Sequence, residues 1–554
     1  MNALTRAARC AAAALPLLLA ACNNSPDDGS AAAPTLLAST GQVTVKTSSP
    51  VSHYAAARFA DQVSFGATPA LVADIEKLGF EAWIDAQFAL PVPHHDTAPV
   101  AHYDDQVRAQ AEAANRYFES ANLTAMIARP DQLRQRVVWA MSQWIVVSSN
   151  KVQEYATLTW INLLNDNAFG NYGALLRAVT TSPPMGVYLD NLSNRPKSDE
   201  CPWCAPNENY SRELLQLFSL GVVKLNLDGS TQRDAANRPL ETYTQQDVEA
   251  MTRAMTGWQM TKNTPKGDYT NFDGVLIPET WAPAHDREAK TLLGTTIPAG
   301  QSTTQDMEAA IAVLMGHQNI APFVSLRLIQ HLVTSNPSPA YIRRVATVFR
   351  DNGKGVAGDM KAVLKAVLLD AEARKGDTLG ADSLSFGKMR EPVLWYTGLL
   401  RGMGCTGPLR WDATPEYPLP GIAKPSVQSP FMQSSVFSYY MPTDRAPGSN
   451  LLAPEQRLLN AEELSGRIGG YGLQTASRLS NAGCQVDPFV KALSSSPRAF
   501  IDLMSERYFR GAMPQTLRQN LQDLSTTPNG NTPLERTMPL LQYALATPYY
   551  GVIR

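Results

Sequence analysis

Cys201 and Cys204 open the stretch CPWCAPNENYSRELLQLFSL. Two thiols at this spacing suit a disulfide, a redox pair or half of a metal site. A zinc site wants four N, S or O ligands, commonly a second such pair or two histidines. Cys405 and Cys484 form no second CxxC, and no histidine lies close by in sequence. A thioredoxin-like pair should follow a strand, whereas NRPKSDE before Cys201 is a polar loop. There is no CxxCH, so no covalent haem is signalled. The reading favours a structural disulfide between Cys201 and Cys204, with redox and metal roles left open, and no metal ligand set is assigned.

The helix expected after this pair carries the best acidic candidate. Asn207 is a suitable N-cap. At 100° per residue Tyr210, Leu214, Leu217 and Phe218 form the apolar stripe, with Glu208 and Arg212 an i,i+4 ion pair on the outer side. Asn209 and Glu213 fall at the margin of the stripe, where a carboxylate must be paired, protonated or useful. The histidines supply the rest. His285-Asp286 in APAHDREAKTLLG and His317 in MGHQNIAP stand at loop or helix-start positions, which favour function over packing. With Glu213 they could furnish general acid–base chemistry; alternatively His285 braces a turn and His317 caps the helix beginning near Pro322. His94, His95, Asp96 and His102 sit in a proline-rich run that reads as a solvated loop. Arg327 and His331 share a line on an otherwise apolar helix, which predicts a buried carboxylate partner for Arg327. The sequence has no G-x-S-x-G elbow, H-E-x-x-H, Walker A loop or Rossmann G-x-G-x-x-G, and no cofactor is indicated.

The elements that must position these residues are mostly helices. In GATPALVADIEKLGFEAWIDAQFAL, Thr68 is an N-cap, Pro69 the first helical residue, Leu71, Val72, Ile75 and Leu78 one stripe, and Gly79 the stop. In DQLRQRVVWAMSQWIVVSS, Leu133, Val137, Val138, Met141, Trp144 and Ile145 recur at three and four. Further helices are expected near 154–166, 171–181, 208–220, 245–256, 304–316, 322–334, 338–352, 359–369, 388–402, 454–468, 497–509, 514–523 and 533–546. VVKLNLDGSTQRDAANRPLETYT reads as a long irregular hairpin turning at Asp228-Gly229, and NFDGVLI as a short strand. The fold class is mainly α: a large multi-helical body with a short irregular β-hairpin.

The first residues read as an address. Arg6 and Arg9 precede a short apolar run that ends in Leu19-Ala20-Ala21-Cys22, which resembles a bacterial lipobox. Residues 1–21 are then a signal peptide, Cys22 the lipidated residue, and 22–50, rich in Ser, Pro, Ala, Thr and Gly, a flexible tether. Asn23 after Cys22 leans toward the outer membrane of a bacterial cell envelope. The body divides into a main helical lobe at 51–404, a Pro/Gly-rich connecting loop at 405–450 and a C-terminal helical part at 451–554. With 48 basic against 50 acidic residues and no block of like charge, nothing suggests nucleic-acid binding.

From RFADQVSFGATPALVADIEKLGFEAWIDAQF to YALATPYYGVIR the chain resembles the bacterial domain of unknown function 1800 family. LRQRVVWAMSQ, NENYSRELLQLFSLGV, YTQQDVEAMTRAMTGW, HDREAKTLLG, HQNIAPFVSLRLIQHLVTSNPSP and SSVFSYYMPTDRAPG together carry the resemblance. It implies an exported, mostly helical protein whose gene often neighbours that of an exported sulfatase-like protein, and implies no particular reaction. The family pattern has Asp where this chain has Asn207. Two expectations follow: a lipid-anchored scaffold or accessory protein working with an exported partner, or a hydrolase or transferase acting on envelope or extracellular polymers through Glu213, His285, Asp286 and His317.

Overall fold

The computed structural model describes residues 51–101, 107–261, 271–380, 386–407, 427–469, 483–527, 530 and 532–554. Cys22, the signal peptide, the tether and His102 lie outside them. Helices dominate, and the strands form two-stranded antiparallel pairs only, among the described residues. No single helix among them is long and apolar enough to cross a membrane.

Local signals explain most helix ends. The Thr68 hydroxyl accepts the amide of Leu71, Pro69 occupies the first turn, and Gly79 at φ 79° stops the helix Pro69–Leu78. Ser302 and Thr244 each close a reciprocal capping box, with Gln305 and Asp247. Leu78 leaves the expected stripe and is exposed. The helix Gln132–Met141 is buried on every side rather than along one stripe. Its polar residues are therefore tied down: Arg134 donates to the Asn165 carbonyl (2.7 Å) and Arg136 to the His331 carbonyl (2.6 Å). Helices at His53–Val63, Arg108–Ala128 and Asp487–Ser495 were not legible as separate elements. Gln, Asn, Glu and Ala interrupt the apolar stripe of Arg108–Ala128.

Contacts divide the chain into two units. Among the described residues, one takes those of Glu81–Leu368 with Ser429–Tyr439, and the other those of 51–80, 369–428 and 440–554. This division follows contacts between segments far apart in the chain, whereas the expected boundaries at 404 and 451 follow chain order. In the second unit, Asp61 is held by Arg390 (3.0 Å) and Arg510 (2.6 Å), and strand Lys388–Met389 pairs with Val552–Ile553. In the first, the Ser148 hydroxyl donates to the Gln433 carbonyl and Ser438 to Gln143 (both 2.8 Å), while Phe431 meets the Trp139 ring edge-on.

The first unit holds every candidate acid and histidine of the site. Its irregular hairpin turns at Gly229 as expected, then turns again at Asp234–Asn237, joined by isolated bridges Val223–Glu241, Leu225–Thr231 and Arg233–Pro239. NFDGVLI contributes the strand Leu276–Pro278, paired with Trp258–Met260. A second ribbon, Lys290–Leu292 with Thr295–Ile297, was not expected; its three-residue strands are too short to show a period of two.

Candidate functional site

Cys201 and Cys204 are disulfide-bonded, and so are Cys405 and Cys484. The first bond pins a loop whose root is the reciprocal pair Asn194–Asn207: the Asn194 amide donates to the Asn207 carbonyl (2.9 Å), and the Asn207 N–H donates to Asn194 Oδ1 (2.8 Å). Asn207 Oδ1 then accepts the N–H of Asn209 (2.8 Å). This bond lies just ahead of the helix Asn209–Glu213, whose N-cap is Glu208 and not the expected Asn207.

That helix continues as a π turn at Leu214–Ser219. The wider turn shifts the register after Glu213, so Leu215 is buried and Leu217 half-buried, the reverse of a uniform α-helical stripe. π turns recur at functional sites, and this one directly follows Glu213.

Asn209 and Glu213 share a face, one turn apart. The Asn209 amide donates to Asp190 Oδ2 (2.9 Å). Lys151 Nζ donates to Asp190 Oδ1 (2.9 Å) and to the Tyr188 carbonyl (2.7 Å). Asp190 and Ser193 both sit at left-handed φ, 57° and 55°, which costs a non-glycine residue free energy that surrounding contacts must offset. Glu213 is half-buried, and its Oε2 is buried without a hydrogen-bond partner. Burial raises the carboxyl pKa to about 7, against a smaller opposing pull from Arg212. Arg212 is engaged elsewhere, with Glu208 (2.6 Å) and Gln245 (2.8 Å). Burial, and secondarily the charge of Glu213, push the hydroxyls of Tyr188 and Tyr243 up to about 12. The expected cationic or histidine partner of Glu213 is thus absent among the described residues. Tyr188 and Tyr243 are the groups that feel its charge, and Asn209, one turn before it, is tied to Asp190 and through it to Lys151.

His285 and Asp286 belong to a different cluster. A carbonyl oxygen can only accept, so His285 Nδ1–H donates to the Thr256 carbonyl (2.9 Å); its Nε2 lies 3.2 Å from Asp306. Lys290 Nζ sits 2.7 Å from the same Asp306 carboxylate and 3.4 Å from Asp286. Arg253 grips Asp286 through Nε (2.6 Å) and Nη2 (3.0 Å). Burial opposes ionisation of Asp286, but Arg253, the Glu288 amide and Lys290 together hold its carboxyl below the usual range. Gly257 makes room for this cluster: at φ 86°, a Cβ there would come within 2.9 Å of the His285 Cβ.

His317 ends the helix Thr303–Gly316, and its Nδ1 accepts the N–H of Asn319 (3.1 Å). Burial, and then Lys224, push its pKa down, with Asp247 acting against them. It borders an open groove of about 800 Å³ shared with Lys224, Leu293, Ile297 and Val313. No hydrogen bond or ion pair links Glu213 to His285, Asp286 or His317.

Two other sequence readings are corrected. His95 is buried, not solvated: Asn162 clamps its backbone from both sides (2.7 and 3.0 Å), and burial, then Arg129 and His94, lower its pKa to about 3. Arg327 has no carboxylate partner among the described residues; its Nη1 donates to Gln330 (3.0 Å) and it lies over the Phe323 ring. No group of three or more His, Cys, Asp or Glu among the described residues could hold a metal ion.

The model of a protein family described as of unknown function, DUF1800, matches residues 58–552. The chain belongs to that family. The match takes in both units and every side chain of the site. No curated protein and no solved structure is detectably similar to the chain. The family description attaches no activity to Glu213 or its neighbours, so their chemistry rests on geometry alone. Lys151, Asp190, Lys290 and Asp306 were missed by sequence reasoning. The i,i+4 spacing of Asp286 and Lys290 was the one signal that could have drawn attention to the second cluster.

Proposed function

We propose that this chain is a cell-envelope lipoprotein, anchored through Cys22 to the outer membrane, whose helical body works as an accessory or scaffold to an exported partner. The observation that carries the reading is the engagement of His285 and Asp286 in a packed ion cluster with Lys290, Asp306 and Arg253. Groups spent on one another in this way already have their partners within the body, and removing one would strand another. The two disulfides suit an oxidising compartment. The family resemblance points to a sulfatase-like exported protein as partner. Size-exclusion chromatography of the purified body with that neighbour-encoded protein tests this, with a stable complex expected. Independent elution at micromolar concentrations would remove the accessory reading.

A second reading, a hydrolase or transferase acting on envelope or extracellular polymers, is favoured by Glu213. A carboxyl that keeps its proton near neutral pH can serve as a general acid, and Asp190, held by Lys151, is a second carboxylate from the adjoining loop. Glu213→Gln should abolish release of fragments from envelope polysaccharide if this reading holds. Equal release by wild type and variant would end it.

A further inference from the structure

Several arginines of the first unit have a carboxylate to answer them. Arg195 grips Glu279, Arg212 Glu208, Arg253 Asp286 and Arg177 Glu308. Arg327, on the helix Ile320–Leu332, has none among the described residues, although packing encloses its side chain and leaves it only partly exposed. Burial pushes its pKa down to about 10, and no acid among the described residues counters it.

The side chain is nonetheless held in place. Nη1 donates to Gln330 Oε1 (3.0 Å), and Gln330 Nε2 donates in turn to the Ser335 carbonyl (3.4 Å), which fixes which end of the amide faces the arginine. The guanidinium carbon lies 5.0 Å from the centroid of the Phe323 ring. A ring face and a single amide oxygen offset part of the charge but leave the Nε–Nη2 edge without an acceptor among the described residues. An enclosed cation without a counter-charge is costly. A planar fork positioned in advance by its neighbours is also the geometry that takes two oxygens of one anion side by side.

We propose that Arg327, oriented by Gln330 and Phe323, is an oxyanion-binding site that takes one carboxylate, phosphate or sulfate group on its Nε–Nη2 edge. The site needs neither the accessory reading nor the polymer-cleaving one. It would receive an acidic group of a partner, a lipid headgroup or a free anion by the same two hydrogen bonds.

The test is thermal unfolding and calorimetric titration of the intact body with sulfate, inorganic phosphate and acetate, at ionic strength held constant with chloride. Wild type should show saturable stabilisation by at least one oxyanion. Arg327→Met should lose it, with affinity down by at least tenfold, while Arg177→Met, which removes an arginine already matched to Glu308, keeps it. Gln330→Ala, which retains the charge, should weaken binding several-fold, and it serves if the methionine variant does not fold. The proposal is overturned if no oxyanion gives saturation above chloride, or if Arg327→Met or Gln330→Ala binds as wild type does. Titration with vesicles carrying anionic headgroups, or with an acidic peptide, then distinguishes the source of the group: tighter binding than the free anion identifies it.

Discussion

Lys290 Nζ and the Asp306 carboxylate lie 2.7 Å apart with both side chains fully buried, joining the ribbon Lys290–Leu292 to the helix Thr303–Gly316. The Lys290 ammonium also donates to the carbonyls of Asp286 (2.6 Å) and Glu288 (2.8 Å), so its donors are well used. Removing one partner strands the other. Lys290→Met should cost about 3–5 kcal/mol in denaturant unfolding, because the buried Asp306 loses its 2.7 Å ammonium partner and keeps the longer 3.2 Å contact to His285. The double variant Lys290→Met/Asp306→Leu should recover part of that loss. If the single variant is as stable as wild type, the pair is not the anchor described.

Glu213 makes stability depend on pH in a defined direction. Its carboxyl ionises near pH 4.5 in the unfolded chain and near 7 in the folded one. Between those values the folded state binds more protons, so stability falls as pH rises, and the loss is complete above pH 7. Glu213→Gln should remove this slope and gain on the order of 1 kcal/mol at pH 8 relative to pH 5; the figure is reduced from the full shift because the side chain is partly solvated. Unfolding free energies measured at both pH values check it. A slope unchanged in the variant would mean that Glu213 is not its source.

The two disulfides should differ in weight. Cys201–Cys204 closes a sequence separation of 3, Cys405–Cys484 one of 79. Chain entropy assigns about 2 kcal/mol to the first and about 4 kcal/mol to the second. Paired serine variants compared by Tm should therefore rank Cys405→Ser/Cys484→Ser as the more damaging. The reverse order would show that the short bond supports structure well beyond its own loop.

Cys22→Ser should release the protein from the membrane fraction into the soluble one, with the folded body unchanged in circular dichroism. Continued sedimentation with membranes would indicate another anchor.

Helix content was legible in the sequence because its determinants are local. Thr68, Pro69 and Gly79 bracket one helix, and Ser302 with Gln305 starts another, within spans that need no knowledge of the rest of the chain. The Glu208–Arg212 pair and the Gly229 turn were visible for the same reason. Glu213 could be singled out as a marginal carboxylate, since periodicity places it at the edge of the apolar stripe. The network one turn before it could not be read. Asp190 and Lys151, which tie down Asn209, come from other segments, and the π turn that moves Leu217 outward does not follow from a constant 100° step. Tertiary structure alone decided that His285 and Asp286 answer to Lys290, Asp306 and Arg253, that Arg327 answers to no acid among the described residues, and that 429–439 groups with the unit holding Trp139. The physical reason is that periodicity and caps report which residues must be buried or turned. Which buried charge meets which depends on segments brought together from far along the chain, where spacing in sequence carries no distance.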